Sequence, residues 1–234
     1  MNQILDSQIH IYMINFNEII ESKYRIKELL VDDEIERVNK LKFESDKQRA
    51  LKTYFIRRKI LSAYTDISPE KIIFKYNTYG KPYFTDGNNF RIKFNYSHSQ
   101  DLLLFAICLD NEIGVDLEFI KVLPDLKNLA ENYFSQKEFC YYQSFKSPEE
   151  KLFFFYKIWT RKEALLKAIG TGLIDGLKVL NVLDGSAVNN SSLIISYYKK
   201  KLIITDIMVP ENFIGSLAYV SKIPKELIYF DSLT

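Results

Sequence analysis

A chain of 234 residues, 47% hydrophobic and 15% aromatic, carries enough apolar material for a true core in one large domain or two small ones. Lys and Arg number 32 against 30 Asp and Glu, and the net charge of +2 argues against the broad positive field of a nucleic-acid-binding chain. The opening MNQILDSQIHIYMINF lacks a basic head before a long apolar segment, and no run reaches the ~20 apolar residues of a membrane span, so a cytoplasmic protein is expected.

In chain order, periodicity predicts a strand over 10–15 and one or two short surface helices within 18–47. A long helix is predicted over about 46–64, where Leu51, Phe55, Ile56 and Ile60 recur at helical spacing and Lys52, Arg57 and Arg58 face outward. Ser68-Pro69-Glu70-Lys71 reads as a turn or short helix start, and Tyr79-Gly80-Lys81-Pro82 as a loop before a strand. The apolar run 102–109 reads as a buried strand that turns at Asp110-Asn111-Glu112 into a second one, giving a hairpin over 102–119. Helices follow at about 125–133, from Ser135, and over 148–169, the last stopped by Gly170. Three late strands are predicted near 177–183, 193–198 and 215–220. Cys108 and Cys140, both in apolar surroundings, read as reduced core residues, and His10 as structural.

The segment Tyr-Phe-Ile-Arg-Arg-Lys-Ile-Leu at 54–61 faintly echoes Ile-Trp-Thr-Arg-Lys-Glu-Ala-Leu at 158–165. Taken as a repeat, it predicts an α+β fold: two similar α+β lobes packed about a pseudo-twofold axis, with the seam near residue 110. Ile-Gly-Val-Asp-Leu-Glu at 113–118 lies beside that seam. Side chains alternate along a strand, so Asp116 and Glu118 leave the same face. Two carboxylates held so close need a retained proton or a cation between them, and a hard divalent ion is one answer. On the helix over 148–169, Trp159, Glu163 and Lys167 form a second stripe, which by itself also suits a plain surface Glu–Lys pair. Ser97 beside His98 is no hydrolase signature, because neighbours on an extended segment point apart and no elbow glycines surround the serine.

Together the two stretches resemble the identifying motifs of the 4′-phosphopantetheinyl transferase superfamily, (I/V)-G-(I/V)-D-(I/L/V)-E and W-(T/S)-x-K-E-(A/S)-x-x-K. They stand here as Ile-Gly-Val-Asp-Leu-Glu and Trp-Thr-Arg-Lys-Glu-Ala-Leu-Leu-Lys (159–167). Tyr79-Gly80-Lys81-Pro82, Phe94-Asn95-Tyr96-Ser97-His98-Ser99 and Tyr133-Phe134-Ser135 through Glu138-Phe139 are similar to further family elements. Length and the internal echo favour the two-lobed, surfactin-synthetase-activating type.

The resemblance implies transfer of the 4′-phosphopantetheine arm of coenzyme A to a serine of an acyl or peptidyl carrier protein, releasing adenosine 3′,5′-bisphosphate. It implies an N-terminal lobe over 1–109 on the nucleotide side and a C-terminal lobe over 110–234 for Mg²⁺ and carrier, in a monomer. It also implies Mg²⁺ on Asp116, Glu118 and Glu163, with Lys167 on the phosphates. Arg49, Lys81, Ser97 and His98 match positions that contact coenzyme A. Glu163 is the first choice of base, directly or through water, and Glu138 the alternative. Phe134, Leu173, Ile174 and Leu177 are candidates for an apolar docking surface. The acidic run Asp32-Asp33-Glu34-Ile35-Glu36 departs from the basic character expected near the nucleotide, as does Glu131-Asn132 near the carrier. The competing readings are a coenzyme A or carrier-binding module without transfer, and a nucleic-acid binder using Arg57-Arg58-Lys59 and Lys199-Lys200-Lys201.

Overall fold

The computed structural model describes residues 2–84, 91–171, 177–183, 192–197 and 199–233. Its first half runs β1 (Gln8–Asn15), α1 (Lys23–Glu28), α2 (Asp32–Asn39), α3 (Glu44–Tyr64), the short pair β2 (Phe74–Tyr76) and β3 (Pro82–Phe84), then β4 (Ile92–Ser99) and β5 (Leu102–Leu109). The second half runs β6 (Ile113–Phe119), α4 (Leu126–Tyr133), α5 (Gln136–Ser144), α6 (Pro148–Ile169), β7 (Leu193–Tyr197), β8 (Lys200–Ile207), β9 (Phe213–Val220) and β10 (Glu226–Phe230).

Two four-stranded sheets result, ordered β10-β1-β5-β4 and β6-β9-β8-β7. The predicted 102–119 hairpin does not form: β5 pairs with β1 and β4, whereas β6 pairs antiparallel with β9. The segment 102–109 is apolar throughout because both of its faces are buried. Leu103, Phe105 and Ile107 join α3 in one core, while Leu104, Ala106 and Cys108 meet Ile113, Val115 and Leu117 of β6 in another. The two sheets therefore pack face to face, with α3 on the outside of the first and α6 on the outside of the second. Since Val115 and Leu117 take the inter-sheet face of β6, the period of two sends Gly114, Asp116 and Glu118 toward α6.

The strand order repeats. In each half the opening strand pairs antiparallel with the last strand of a hairpin, β1 with β5 and β6 with β9. Buried charges repeat with it, at one sequence offset. Glu34 accepts the Val31 N–H at the start of α2 and bonds Arg57 and Arg58 of α3; Glu138 accepts the Ser135 N–H at the start of α5 and pairs with Lys162 of α6 at 2.7 Å. The expected outward arginines are thus wrong: Arg57 and Arg58 are 0% exposed, because each guanidinium has a buried carboxylate to meet. Arg58 also donates to the carbonyls of Pro69 and Ile72, as Lys162 does to those of Tyr133 and Leu177. Removing one partner of such a pair strands a buried charge, so Glu34→Ala is expected to cost about 3–5 kcal/mol in denaturant unfolding.

Other expectations change as well. Residues 177–183 are no strand: Leu177–Val179 is a 3₁₀ turn, held by the Lys162 ammonium on Leu177 O and the Glu138 carboxylate on Val182 N–H. Strands β8 and β10 escaped the pattern reading, β8 because it starts inside Lys199-Lys200-Lys201 and β10 because its edge pairing to β1 is parallel and remote in sequence. Cys108 is buried as expected, but Cys140 is exposed. His10 is buried, its Nδ1 2.6 Å from the Tyr64 hydroxyl.

Candidate active site

Gly114 sets how closely the strand bearing the acids approaches the helix bearing Glu163 and Lys167. A Cβ there would lie 2.1 Å from the Ala164 carbonyl oxygen and 2.3 Å from Ala168 N, so only glycine admits this contact. Helix α6 is fixed from its other side. Thr160 Oγ1 lies 2.9 Å from Ser216 Oγ, and Arg161 grips Asp206 through two 2.7 Å bonds. Ser147 caps its N-terminus and Gly170, at φ +79°, ends it.

The edge strand β4 closes the site from the first half. Asn95, Ser97 and Ser99 share one face and reach β6: Asn95 Oδ1 accepts the Val115 N–H at 2.9 Å, and Ser99 Oγ accepts the Phe119 N–H at 3.0 Å. Ser97 Oγ donates to Asp116 Oδ1 at 3.0 Å and accepts from Lys167 Nζ at 3.1 Å, while Lys167 Nζ donates to the same Asp116 oxygen at 2.7 Å. Strands β4 and β6 and helix α6 meet at one carboxylate oxygen. Ser99 Oγ stands 3.5 Å from Glu118 Oε2. Asn95 and Ser99 received no role from the sequence, although the Asn-x-Ser-x-Ser alternation at 95–99 was the available signal.

The carboxylates sense one another. Burial first, then the Asp116 charge, pushes Glu118 up to about 7 against the pull of Lys167 and Ser99. The same two causes raise Glu163, again opposed by Lys167. Asp116 Oδ2 and Glu163 Oε1 are buried without a hydrogen-bond partner. Among the described residues no three ligating side chains already stand as a complete cluster. All donors here are hard oxygens, and Mg²⁺ commonly takes one or two carboxylates and fills its shell with water and substrate phosphates. The acids therefore fit a magnesium site shared with a phosphorylated ligand. A carboxyl raised in the fold stabilises while protonated and loses that contribution as pH rises through its folded value. Without metal, wild type is expected to lose thermal stability relative to Glu118→Gln between about pH 4.5 and 7; parallel melting curves across that range would contradict the Glu118 shift.

Two cavities flank this junction and share Tyr96. One, of about 300 Å³, lies between the Tyr79–Pro82 loop and α6, with Glu163 and Lys167 in its wall. The other, of about 600 Å³, is bordered by Arg49, His98, Ser99 and Lys121. Arg49 lies 3.6 Å from Asp46 and 3.7 Å from Asp101. His98 opens on the groove, its imidazole held below its usual range by desolvation and by the charges of Lys167 and Arg49. The Lys81 ammonium donates to Glu112, Ile113 O and Ala168 O. Glu138 is fully buried, bonded to Lys162, Ser135 and Val182. Phe134 and Leu177 are core residues at 2% and 5% exposure, so they supply no docking surface; Leu173 and Ile174 lie outside the described residues.

Carboxylates with a paired ammonium, between two cavities and at the seam of two sheets, have the chemistry to meet a cation and a phosphorylated ligand. Comparison with known proteins agrees. The model of the 4′-phosphopantetheinyl transferase superfamily matches residues 112–205, and that of the 4′-phosphopantetheinyl transferase N-terminal region matches 20–109. The 4′-phosphopantetheinyl transferase HetI of Nostoc sp. is 33% identical over 173 residues, 73% of this chain and 72% of HetI. A putative 4′-phosphopantetheinyl transferase of Synechocystis sp. is 34% identical over 64% of this chain and 60% of its own length. The transferase gsp of Aneurinibacillus migulanus is 37% identical over 55% and 51%. The chain belongs to the 4′-phosphopantetheinyl transferase superfamily, enzymes that transfer phosphopantetheine to carrier proteins.

Proposed function

We propose that this chain moves the 4′-phosphopantetheine arm of coenzyme A to a carrier-protein serine with Asp116, Glu118 and Glu163 as the ligands of Mg²⁺. The observation that carries this reading is the junction of Ser97, Asp116 and Lys167, with unpartnered oxygens of Asp116 and Glu163 beside it. Bound there, the ion would supply positive charge to the pyrophosphate oxygens. Lys167 and Ser97 place donors at the same point: the ammonium stabilises charge that grows on the leaving phosphate as the serine oxygen bonds to the pantetheine phosphorus. Glu163 takes the serine proton through a water, the relay that suits a carboxylate also facing a metal ion.

Arg49 and His98 border the larger cavity and suit the nucleotide 3′-phosphate, whose charge would draw His98 back toward its protonated form. Lys81 contributes its loop to the smaller cavity. The lobes divide at 109/110, in the turn between β5 and β6, a reading supported by the limits of the two family matches, although β10 crosses back to pair with β1 in the first sheet. We read the chain as a monomer, both cavities being lined within one chain, that acts in the cytoplasm on an acyl or peptidyl carrier. No described helix is long and apolar enough to cross a membrane.

The test is mass spectrometry of an apo carrier incubated with the protein, coenzyme A and Mg²⁺. A gain of about 340 Da on a carrier serine is expected. Coenzyme A binding without that gain would instead identify a binding module.

A further inference from the structure

We propose that Asn77 and Lys81 are positioning residues: from the opposite lobe they cap the C-terminal end of α6 and so fix Glu163 and Lys167 against the strand acids. The inference rests on reading the seam as the transferase site. The last carbonyls of a helix have no partner within it. Gly170 N–H closes back onto Leu166 O, and two of the later carbonyls, those of Ala168 and Gly170, accept from a distant part of the chain. Asn77 Nδ2 donates to Gly170 O at 2.8 Å, and Lys81 Nζ to Ala168 O at 3.4 Å. A cation is the favourable charge at that end of a helix.

The same ammonium donates to Ile113 O at 3.0 Å and to Glu112 at 3.2 Å, directly before Gly114. One half-buried group thus ties the β2–β3 loop, the entry to the acid strand and the end of the acid helix. The loop is rigid enough to act as a clamp. Asn77 Oδ1 accepts the N–H groups of Tyr79 and Lys81, both at 2.9 Å. Asn77 N–H also donates to the Lys81 carbonyl at 3.0 Å around Gly80, whose φ is +82°. Its other side, through Tyr79, Gly80 and Pro82, faces Glu163 and Lys167 across the smaller cavity. The element that shapes the ligand cavity is therefore the element that sets the helix.

Asn77→Asp separates the two duties, keeping the oxygen for Tyr79 and Lys81 but losing the donor to Gly170. Lys81→Met removes the ammonium while leaving the Asn77 turn. Amide hydrogen exchange of residues 166–170 and steady-state transfer are measured for both, with Lys93→Met as control, since Lys93 pairs with Glu112 at 3.1 Å without bonding to α6. Both variants are expected to exchange about 10-fold faster in that turn and to lose about 10- to 100-fold in kcat, with the coenzyme A KM changed by less than about threefold; Lys93→Met behaves as wild type. Unchanged exchange in both variants overturns the clamp, as does faster exchange with wild-type kcat. Wild-type protein that transfers nothing contradicts the site reading instead, while the exchange result still decides the cap.

Discussion

Glu163→Gln is expected to lower kcat for carrier modification by at least about 10²- to 10³-fold while leaving the fold intact. The amide has the shape of the carboxylate, so packing along α6 is kept and only charge and basicity are lost. In the metal-free protein the charge is a burden: burial and Asp116 both raise the Glu163 carboxyl, and its Oε1 is buried without a partner. Stability near neutral pH is therefore expected to hold or rise even as transfer disappears. A group kept for structure would behave in the opposite way, losing stability first. Transfer kinetics and thermal melting on one preparation make the comparison, and wild-type kcat in the variant would remove Glu163 from the reaction.

Gly114→Ala is expected to be the most damaging glycine-to-alanine change among the described residues. The new Cβ would meet backbone atoms, Ala164 O at 2.1 Å and Ala168 N at 2.3 Å, which cannot rotate away as a side chain can. Strand β6 and helix α6 must separate, at a cost of about 1–3 kcal/mol or more. The displacement also parts Asp116 from Lys167, now 2.7 Å apart. Misplacement of about 1 Å is worth roughly 10²-fold in rate, so activity is expected to fall well beyond what the stability loss explains at a temperature where the variant is folded. An alanine variant with wild-type melting and kcat would mean that the close approach does not set the site. The glycine of the motif thus has a purpose that the carboxylates alone do not reveal: it lets a helix backbone lie on the strand.

Helix α6 was legible to its terminal residues because its signals are local: Ser147 and Pro148 at the start, Gly170 at the end. The acids could be paired from spacing alone, since Asp116 and Glu118 must share a face of any strand. What the spacing did not tell was the partner. An apolar run such as 102–109 looks the same whether it faces its sequence neighbour or a sheet on each side, and here β5 turned to β1 and β4. Buried charge was equally hidden. Arg57 and Arg58 read as solvent-facing by type, and the Glu34 that buries them sits in an acidic run that looked like a surface helix. The faint echo between 54–61 and 158–165 held the missing information, because it aligns Arg57 with Arg161 and Arg58 with Lys162, all four of them buried. At the Glu163 position the first half carries Lys59, which is exposed. The echo thus repeats the framework and leaves the carboxylate site single.

The account centres on acids from β6 and α6 acting as one divalent-ion site, and Mn²⁺ binding followed by electron paramagnetic resonance in the presence of coenzyme A tests it most directly. One bound ion per chain is expected in wild type, with binding weakened about 10-fold or more in each of Asp116→Asn, Glu118→Gln and Glu163→Gln. Wild-type Mn²⁺ binding in all three variants would contradict it.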